Sequence, residues 1–314
     1  MRIPSFVLGS ALLAAVRAAP LETRAIAQTL LSQLSFYEQY AASAYCEANN
    51  QPGSSTEVEC DTGNCPLVQA ANATSVLEFQ NEGPADATGY LAVDHTNKLI
   101  VLAFRGSHSL SNWISNINIL FKDWSLCSGC RVHAGFLESW TATRNDVAAP
   151  LKAAVAANPG YPIVATGHSL GAAVATLAAA ELRTQGYNVG LYTYGSPMVG
   201  NNAFATFVTN QSGGNYRVTH ANDIVPKLPG LLFGYRHVSP EYWITSATNV
   251  AVTAADVQVS TGTLNLNGNG GTVESSLDDH GWYFNAISAC APEGFELRRK
   301  DGSDVEIGYS SVLS

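Results

Sequence analysis

Residues 162–181 read Pro-Ile-Val-Ala-Thr-Gly-His-Ser-Leu-Gly-Ala-Ala-Val-Ala-Thr-Leu-Ala-Ala-Ala-Glu, and they give the strongest indication of the fold. The apolar run 163–165 is typical of a short buried strand, and the Ala- and Leu-rich run 170–182 is typical of a buried helix. Between them lies the pattern G-x-S-x-G, with Ser169 at its centre. A strand, this pattern and a helix form the context that a nucleophile elbow requires. The stretch therefore predicts a tight turn that presents the hydroxyl of Ser169.

Each part of this turn has a physical reason. A side chain at Gly167 or Gly171 would collide with neighbouring backbone, so glycine is needed at both positions. The helix that follows points its N-terminus at Ser169, and its free amide donors and positive dipole end can stabilise an oxyanion. The five-residue pattern also occurs by chance, so the prediction depends on the strand before it and the helix after it.

The composition limits the classes of partner. The chain has 314 residues, of which 46% are hydrophobic and 13% charged, and its formal net charge is −9. An acidic chain is unsuited to nucleic acid and to a purely electrostatic association with anionic membranes. A chain of this length buries about three quarters of its unfolded surface, so its core needs no metal or cofactor, and we expect neither.

The N-terminus predicts secretion. Met1 and Arg2 precede an apolar run at 3–16, and small residues follow, as in a signal peptide that ends at Ala18. The run is too short for a transmembrane anchor. Residues 19–24 could form a brief pro-segment. We therefore expect an extracellular protein without a transmembrane segment.

An extracellular location permits disulfides and glycosylation. The chain has six cysteines, and the sequence alone leaves their pairing open. The residues are Cys46, Cys60, Cys65, Cys127, Cys130 and Cys290. Asn72 and Asn210 begin sequons and are candidate glycosylation sites if they are exposed.

Strands alternate with helices through the middle of the chain, which predicts an α/β protein. Hairpin-like pairs at both ends predict a mixed, mostly parallel sheet. We expect one domain at 25–290 and a polar C-terminal tail at 291–314, to which we assign no function. Inside the domain, the pattern predicts a strand at 249–259 and helical content at 277–288.

A serine nucleophile needs a base, and the base needs an orienting acid. Asp223 is favoured as the acid because residues 217–223 read as a strand that enters a loop. A single loop aspartate is also commonly a cap or turn residue, so the residue pattern leaves other acids open. They are Glu181, Glu241, Asp256, Glu274, Asp278 and Asp279.

Two histidines follow Asp223 and are candidates for the base. His237 lies in a strand-like run, which favours a structural role. His280 lies in a stretch rich in Gly, Asp and aromatic residues, which fits a base carried on a loop.

The chain resembles the secreted filamentous-fungal triacylglycerol lipases of the class 3 family, in particular those of the Thermomyces type. The resemblance covers about 25–290. The motifs that carry it are 167–171, 219–226, His280 with 282–284, 104–107, 112–114 and the six cysteines in order. Met198 departs from it, because family members often have a basic residue there, and the tail is longer than in the family.

The resemblance implies an α/β-hydrolase fold and a triad of Ser169, Asp223 and His280. It also implies an oxyanion hole formed by Ser107 and the backbone amide of Leu170. The disulfides that it implies are Cys46–Cys290, Cys60–Cys65 and Cys127–Cys130.

A lid is predicted at about residues 108–120. Leu110, Trp113, Ile114 and Ile117 have the spacing of one helix face, and polar residues occupy the other face. An ordinary core helix would fit this pattern equally well. The position directly after Ser107, together with the resemblance, favours a lid that covers the serine and opens at an oil–water interface.

The sequence therefore predicts a secreted serine lipase that hydrolyses acylglycerol esters through an acyl-enzyme, acts at the lipid–water interface and is monomeric. One alternative is a feruloyl-type esterase, which shares this architecture but has no need of an apolar lid. A second alternative is a non-catalytic lipid-binding protein, against which the complete set of catalytic residues argues.

Overall fold

The computed structural model describes residues 25–82, 87–107 and 110–291. The predicted signal peptide and pro-segment lie outside the described residues, and so do the first two positions of the predicted lid. Of the predicted tail, only Ala291 is described. No helix in the described ranges combines the length and the hydropathy that a membrane span requires.

The secondary structure alternates strands and helices as expected. The helices are α1 (Gln28–Ser43), α2 (Pro66–Ala70), α3 (Leu110–Asn116), α4 (Ala134–Ala157), α5 (Leu170–Thr184) and α6 (Asn202–Asn210). The strands are β1 (Thr74–Glu82), β2 (Ala87–Asp94), β3 (Leu99–Phe104), β4 (Phe121–Asp123), β5 (Arg131–His133), β6 (Ile163–His168), β7 (Val189–Tyr194), β8 (Gly200–Asn201), β9 (Asn215–His220), β10 (Tyr235–Arg236), β11 (Glu241–Ile244), β12 (Val257–Ser260), β13 (Trp282–Tyr283) and β14 (Asn285–Ala286).

A central sheet organises these elements. Within the described residues it has eight strands in the order β1-β2-β3-β6-β7-β9-β11-β12. The middle pairs from β3 to β11 are parallel, whereas β1-β2, β2-β3 and β11-β12 are antiparallel. This is the α/β-hydrolase architecture with the mixed sheet that the sequence predicts. The carboxyl ends of β6 and β9 lie on the same edge, because the strands between them run parallel.

The two faces of the sheet carry separate hydrophobic cores. Alternate side chains of β3 point to opposite faces, as a strand requires. Ile100, Leu102 and Phe104 pack with α4 and α5 on one face. Val101 and Ala103 pack with α1 and α2 on the other face. The helices thus cover both faces and leave the carboxyl edge of the sheet to loops.

Two local expectations were wrong. Of the predicted strand in 249–259, only Val257 to Val259 are extended, within β12. Segment 277–288 contains a short 3-10 turn, Asp279–Gly281, and the hairpin β13-β14 instead of a helix. The Asp279 carboxylate accepts a hydrogen bond from the amide of Asn222 at 3.0 Å, so tertiary contacts with the loop after β9 determine the conformation here.

Three disulfides join the six cysteines. Cys60–Cys65 and Cys127–Cys130 close short loops, with sequence separations of 5 and 3. Cys46–Cys290 has a separation of 244 and joins the end of α1 to the last described residues. The sequons Asn72 and Asn210 are both exposed.

We expect the long-range disulfide Cys46–Cys290 to contribute more to the free energy of unfolding than the short-range disulfide Cys60–Cys65. In the chain-entropy model, removing Cys46–Cys290 by a double Cys→Ser change costs up to about 5 kcal/mol, and removing Cys60–Cys65 costs up to about 2 kcal/mol. Denaturant unfolding followed by circular dichroism measures both. Replacing both cysteines of a pair is essential, because the sulfurs of Cys46, Cys60 and Cys290 lie within 4.8 Å of one another and a single free thiol could exchange. Equal losses from the two double variants would contradict the prediction.

Candidate active site

The turn between β6 and α5 has the backbone strain of a nucleophile elbow. Ser169 has φ 57° and ψ −127°, a conformation that L-residues rarely adopt. Its amide donates to the carbonyl of Tyr194 on the neighbouring strand at 2.9 Å, which holds the turn against β7. The Ser169 hydroxyl makes no helix-capping hydrogen bond, so it stays free for chemistry.

The two glycines of the motif allow a close approach of backbone. A Cβ on Gly167 would lie 2.5 Å from the carbonyl carbon of Gly171. A Cβ on Gly171 would lie 2.6 Å from the carbonyl oxygen of Arg105 on the segment after β3. Because both contacts are with backbone, no side-chain rotation could relieve them. Glycine at these positions therefore lets α5 start directly beside the end of β3.

Asp223 and His280 form a buried pair at the same edge of the sheet. Asp223 follows β9, His280 lies in the 3-10 turn, and both are fully buried. The Nδ1 atom of His280 lies 2.9 and 2.8 Å from the two carboxylate oxygens of Asp223. A carboxylate accepts hydrogen bonds, so Nδ1 carries the proton and Nε2 is left as an acceptor. This is the tautomer that a general base needs.

Other groups hold the Asp223 carboxylate in place. Oδ1 accepts the amide of Val225 at 2.9 Å, and Oδ2 accepts the hydroxyl of Tyr283. Burial, followed by the nearby Asp223 charge, raises the pKa of Tyr283 well above its ordinary value, so the phenol stays protonated and continues to donate. Hydrogen bonds of this kind offset the cost of burying a carboxylate.

A second histidine supports the backbone of the first. The hydroxyl of Tyr45 contacts Nδ1 of His168 at 2.7 Å, and Nε2 of His168 lies 2.9 Å from the carbonyl oxygen of His280. Burial and the adjacent His280 ring lower the pKa of His168 well below its ordinary value, so this ring is neutral. A neutral ring donates from Nε2 to the carbonyl and accepts from Tyr45 at Nδ1.

The end of β7 brings the serine and the histidine into one site. The amide of Ser169 is hydrogen-bonded to the carbonyl of Tyr194. The next residue, Gly195, lies against the His280 ring, because a Cβ on Gly195 would be 2.8 Å from Cε1 of His280. The Ser169 Oγ and the His280 Nε2 are both buried, and neither has a hydrogen-bond partner among the described residues. Catalytic hydrogen bonds are often absent or long before substrate binds. The Ser169 Oγ and the His280 Nε2 are thus both available to a substrate.

The predicted oxyanion donors lie on either side of Ser169. Leu170 is the first residue of α5, where amides have no partner within the helix. On the other side, a Cβ on Gly106 would lie 3.0 Å from the Cβ of Ser169, which places the neighbouring Ser107 next to the nucleophile. The Ser107 hydroxyl is buried and has no hydrogen-bond partner among the described residues.

The predicted lid helix covers this edge with apolar side chains. Leu110 and Ile114 of α3 are buried against Val225, Leu228 and Leu277, which belong to the loops on either side of Asp223 and His280. The other two predicted lid residues, Trp113 and Ile117, are partly buried and pack against the same cluster. Ile117 lies just beyond the end of the helix.

The other acids that the sequence left open have structural partners. Glu181 accepts from the indole of Trp140 at 2.6 Å, and Glu241 lies 3.4 Å from Arg217. Asp256 completes a capping box with Thr253. The other histidine after Asp223, His237, is partly buried with Nε2 at 2.6 Å from the carbonyl of Pro226, in agreement with a structural role.

The residue pattern gave no signal for the supporting groups. The supporting groups come from three different segments and are Tyr45, His168 and Tyr283. Position 168 lies in the serine motif and position 283 lies in the motif beside His280, but the pattern did not indicate their contacts. In the described part of the chain, one group of three metal-ligating side chains occurs, Cys46, Cys60 and Cys290, and disulfides occupy all its sulfurs. The catalytic edge therefore offers acid–base and nucleophilic groups.

Comparisons with known proteins agree with this geometry. Residues 101–233 match the family Lipase (class 3), and residues 6–76 match the Lipase 3 N-terminal region. A secreted mono- and diacylglycerol lipase A of Penicillium cyclopium is 45% identical over 305 residues, which is 95% of this chain and 100% of that protein.

Solved structures give the same result. A mono- and diacylglycerol lipase from Aspergillus oryzae is similar with a TM-score of 0.79 and 43% identity, over 84% of this chain and 99% of that one. A triacylglycerol lipase whose catalytic centre is described as a serine protease triad has a TM-score of 0.76 and 31% identity, over 85% of this chain and 99% of that one. The chain therefore belongs to the class 3 lipases, as a secreted carboxylic ester hydrolase of acylglycerols.

Proposed function

We propose that this lipase hydrolyses mono- and diacylglycerols at a lipid–water interface, with Ser169, Asp223 and His280 as its catalytic triad. One observation carries the assignment: a buried Asp223–His280 pair lies beside a strained serine elbow under an apolar helix. The preference for partial glycerides is supported by the relatives named for that activity, which are 43–45% identical, whereas the triacylglycerol lipase is 31% identical.

The geometry supports an acyl-enzyme route. The Ser169 hydroxyl attacks the ester carbonyl while Nε2 of His280 takes its proton. The imidazolium that forms is stabilised by the Asp223 carboxylate, and it then returns the proton to the leaving glycerol oxygen. A water molecule repeats these steps on the acyl-enzyme and releases the fatty acid. Tyr283 and the amide of Val225 keep the carboxylate aligned throughout.

The tetrahedral intermediate places negative charge on the former carbonyl oxygen. The Leu170 amide lies at the start of α5, where amides have no partner within the helix, and the Ser107 hydroxyl has no hydrogen-bond partner among the described residues. Donors fixed before the reaction stabilise this charge without reorganising, and the surrounding apolar cover strengthens the interaction.

The α3 helix acts as a lid in this proposal. In the closed position its apolar face seals a site that contains buried, unpartnered polar atoms. At an oil–water interface, moving α3 away would transfer Leu110 and Ile114 from the protein to lipid, so opening exposes little apolar surface to water.

A fluorophosphonate probe tests the nucleophile. We expect it to label the wild-type protein and Ser32→Ala, because Ser32 is exposed on α1 and far in sequence from every member of the triad. It should not label Ser169→Ala. If Ser169→Ala is labelled as strongly as the wild type, another residue is the nucleophile.

Replacing Ser107 tests the oxyanion hole. On a soluble short-chain ester, Ser107→Ala should lower kcat by about 10²–10³-fold with little change in KM, because the hydroxyl binds charge that exists only in the transition state. The thermal midpoint should stay constant, since this hydroxyl has no hydrogen-bond partner among the described residues. Ser115→Ala, on the exposed side of α3, is the matched control and should keep the wild-type kcat. An unchanged kcat for Ser107→Ala would remove Ser107 from the site.

A substrate series tests the proposed specificity and the lid together. Initial rates on emulsions of monoolein and diolein should exceed the rate on triolein several-fold, and methyl ferulate should be a poor substrate. On tributyrin the rate should rise steeply once the concentration passes the solubility limit, because α3 opens at the new interface. A rate that stays flat across that limit would count against the lid, and equal rates on the three oleins would count against the partial-glyceride preference.

A further inference from the structure

A short loop beside the active site exposes apolar side chains to solvent. Between Gly230 and Gly234, one turn of 3-10 helix carries Leu231, Leu232 and Phe233. The Leu232 side chain is 99% exposed and Phe233 is 41% exposed. Both flanking glycines have positive φ, 120° and 88°, a conformation that L side chains disfavour. Two glycines with positive φ therefore flank a turn whose central leucine is exposed to solvent.

A second exposed apolar segment lies next to this loop. Ile119 and Leu120 follow the lid and are 39% and 64% exposed. The next residue, Phe121, stacks on Tyr235 with the ring centroids 4.1 Å apart, and the Tyr235 hydroxyl donates to the Leu120 carbonyl at 3.4 Å. These contacts join the end of the lid segment to the end of the loop. We call Ile119, Leu120, Leu232 and Phe233 the apolar rim.

The apolar rim is continuous with the catalytic edge. The segment that ends at Leu232 begins at Asp223, and on the way Val225 and Leu228 pack under Leu110 and Ile114 of the lid helix. A surface that docked on the rim would therefore touch the lid and the entrance to the site at the same time. Singly exposed apolar residues are common on proteins, but a cluster on two segments that both adjoin the site is not expected by chance.

The charge of the protein indicates which kind of lipid surface the apolar rim can bind. The chain has a formal net charge of −9, so long-range Coulomb forces oppose adsorption to an anionic surface. Two nearby cations are turned to protein carbonyls: Arg236 donates to the carbonyls of Leu231 and Tyr235, and Lys227 donates to those of Thr272 and Glu274. Lys122, two positions after Leu120, is exposed, but the exposed carboxylate residue Asp123 follows it directly. Adsorption must then come from burial of apolar side chains, which a neutral lipid surface provides.

We propose that the apolar rim is a second lipid anchor, which inserts Leu232 into an uncharged lipid surface and seats the catalytic edge on it independently of the lid. The proposal deepens the proposed function, because it names the surface on which the same site works. It assigns the adsorption step to a loop that is exposed before the lid opens, and it leaves the lid to control access.

Vesicle binding by catalytically silent proteins tests the anchor. Ser169→Ala would carry either Leu232→Ser or, as the matched control, Leu67→Ser, since Leu67 is 51% exposed on α2 at the opposite face of the sheet. The probe is a phosphatidylcholine vesicle that contains dioleoylglycerol. Leu232→Ser should lower the partition coefficient about tenfold or more, the effect expected for one buried leucine, and Leu67→Ser should leave it unchanged. Raising the salt concentration should not weaken binding.

Other outcomes would overturn the proposal. Equal partition of the two variants would mean that Leu232 does not enter the lipid, and salt-sensitive binding would mean that charge drives adsorption. If size-exclusion chromatography shows a dimer that Leu232→Ser dissociates, a second copy covers the rim instead. A constant thermal midpoint confirms folding of Leu232→Ser. Fluorophosphonate labelling of the protein with Ser169 intact is measured separately, so a failure of the anchor is distinguishable from a failure of the catalytic assignment.

Discussion

The close approach of β3, β6 and the start of α5 is the constraint on which the rest of the structure depends. Without a Cβ at Gly167 and Gly171, the backbone of the elbow packs directly against the carbonyls after β3. This contact forces Ser169 into its strained conformation and aims its side chain at the loops on the carboxyl edge. It also brings the segment after β3, with Gly106 and Ser107, to the side of the nucleophile. One backbone contact thus positions Ser169 and brings the segments of both proposed oxyanion donors to it.

A connected layer of buried polar groups adjoins the elbow. Tyr45, His168, the carbonyl of His280, Asp223 and Tyr283 are linked by successive hydrogen bonds. Burying such groups is costly unless each finds a partner, so the layer is stable only as a connected network. Its members come from the segment after α1, from β6, from the loop after β9, from the 3-10 turn Asp279–Gly281 and from the hairpin β13-β14. The network therefore couples the orientation of the catalytic pair to the packing of the whole domain.

Three buried polar atoms of the proposed catalytic site are available for chemistry. Ser169 Oγ, His280 Nε2 and Ser107 Oγ are buried beneath an apolar cover and form no hydrogen bond within the described residues. In the proposed mechanism, the Ser169 hydroxyl donates to Nε2 of His280 as it attacks the ester, and the Ser107 hydroxyl donates to the ester oxygen.

The amino-acid sequence was enough to predict those elements that depend on neighbouring residues in the chain. The strand, glycine turn and helix around Ser169, the amphipathic face of α3 and the mixed α/β sheet all follow from patterns within about twenty residues, because short-range sterics and periodicity decide them. Only the tertiary structure decided which acid meets which histidine. Asp223 and His280 are fifty-seven positions apart, and the local pattern favoured Asp223 without excluding Asp279 or Glu241. The pairing results from parallel strand order, which brings the ends of β6 and β9 to one edge, and from hydrogen bonds that hold 277–288 as a turn and hairpin. Tyr45 and Tyr283 join the site for the same reason: their roles depend on long-range contacts, which a residue pattern does not encode.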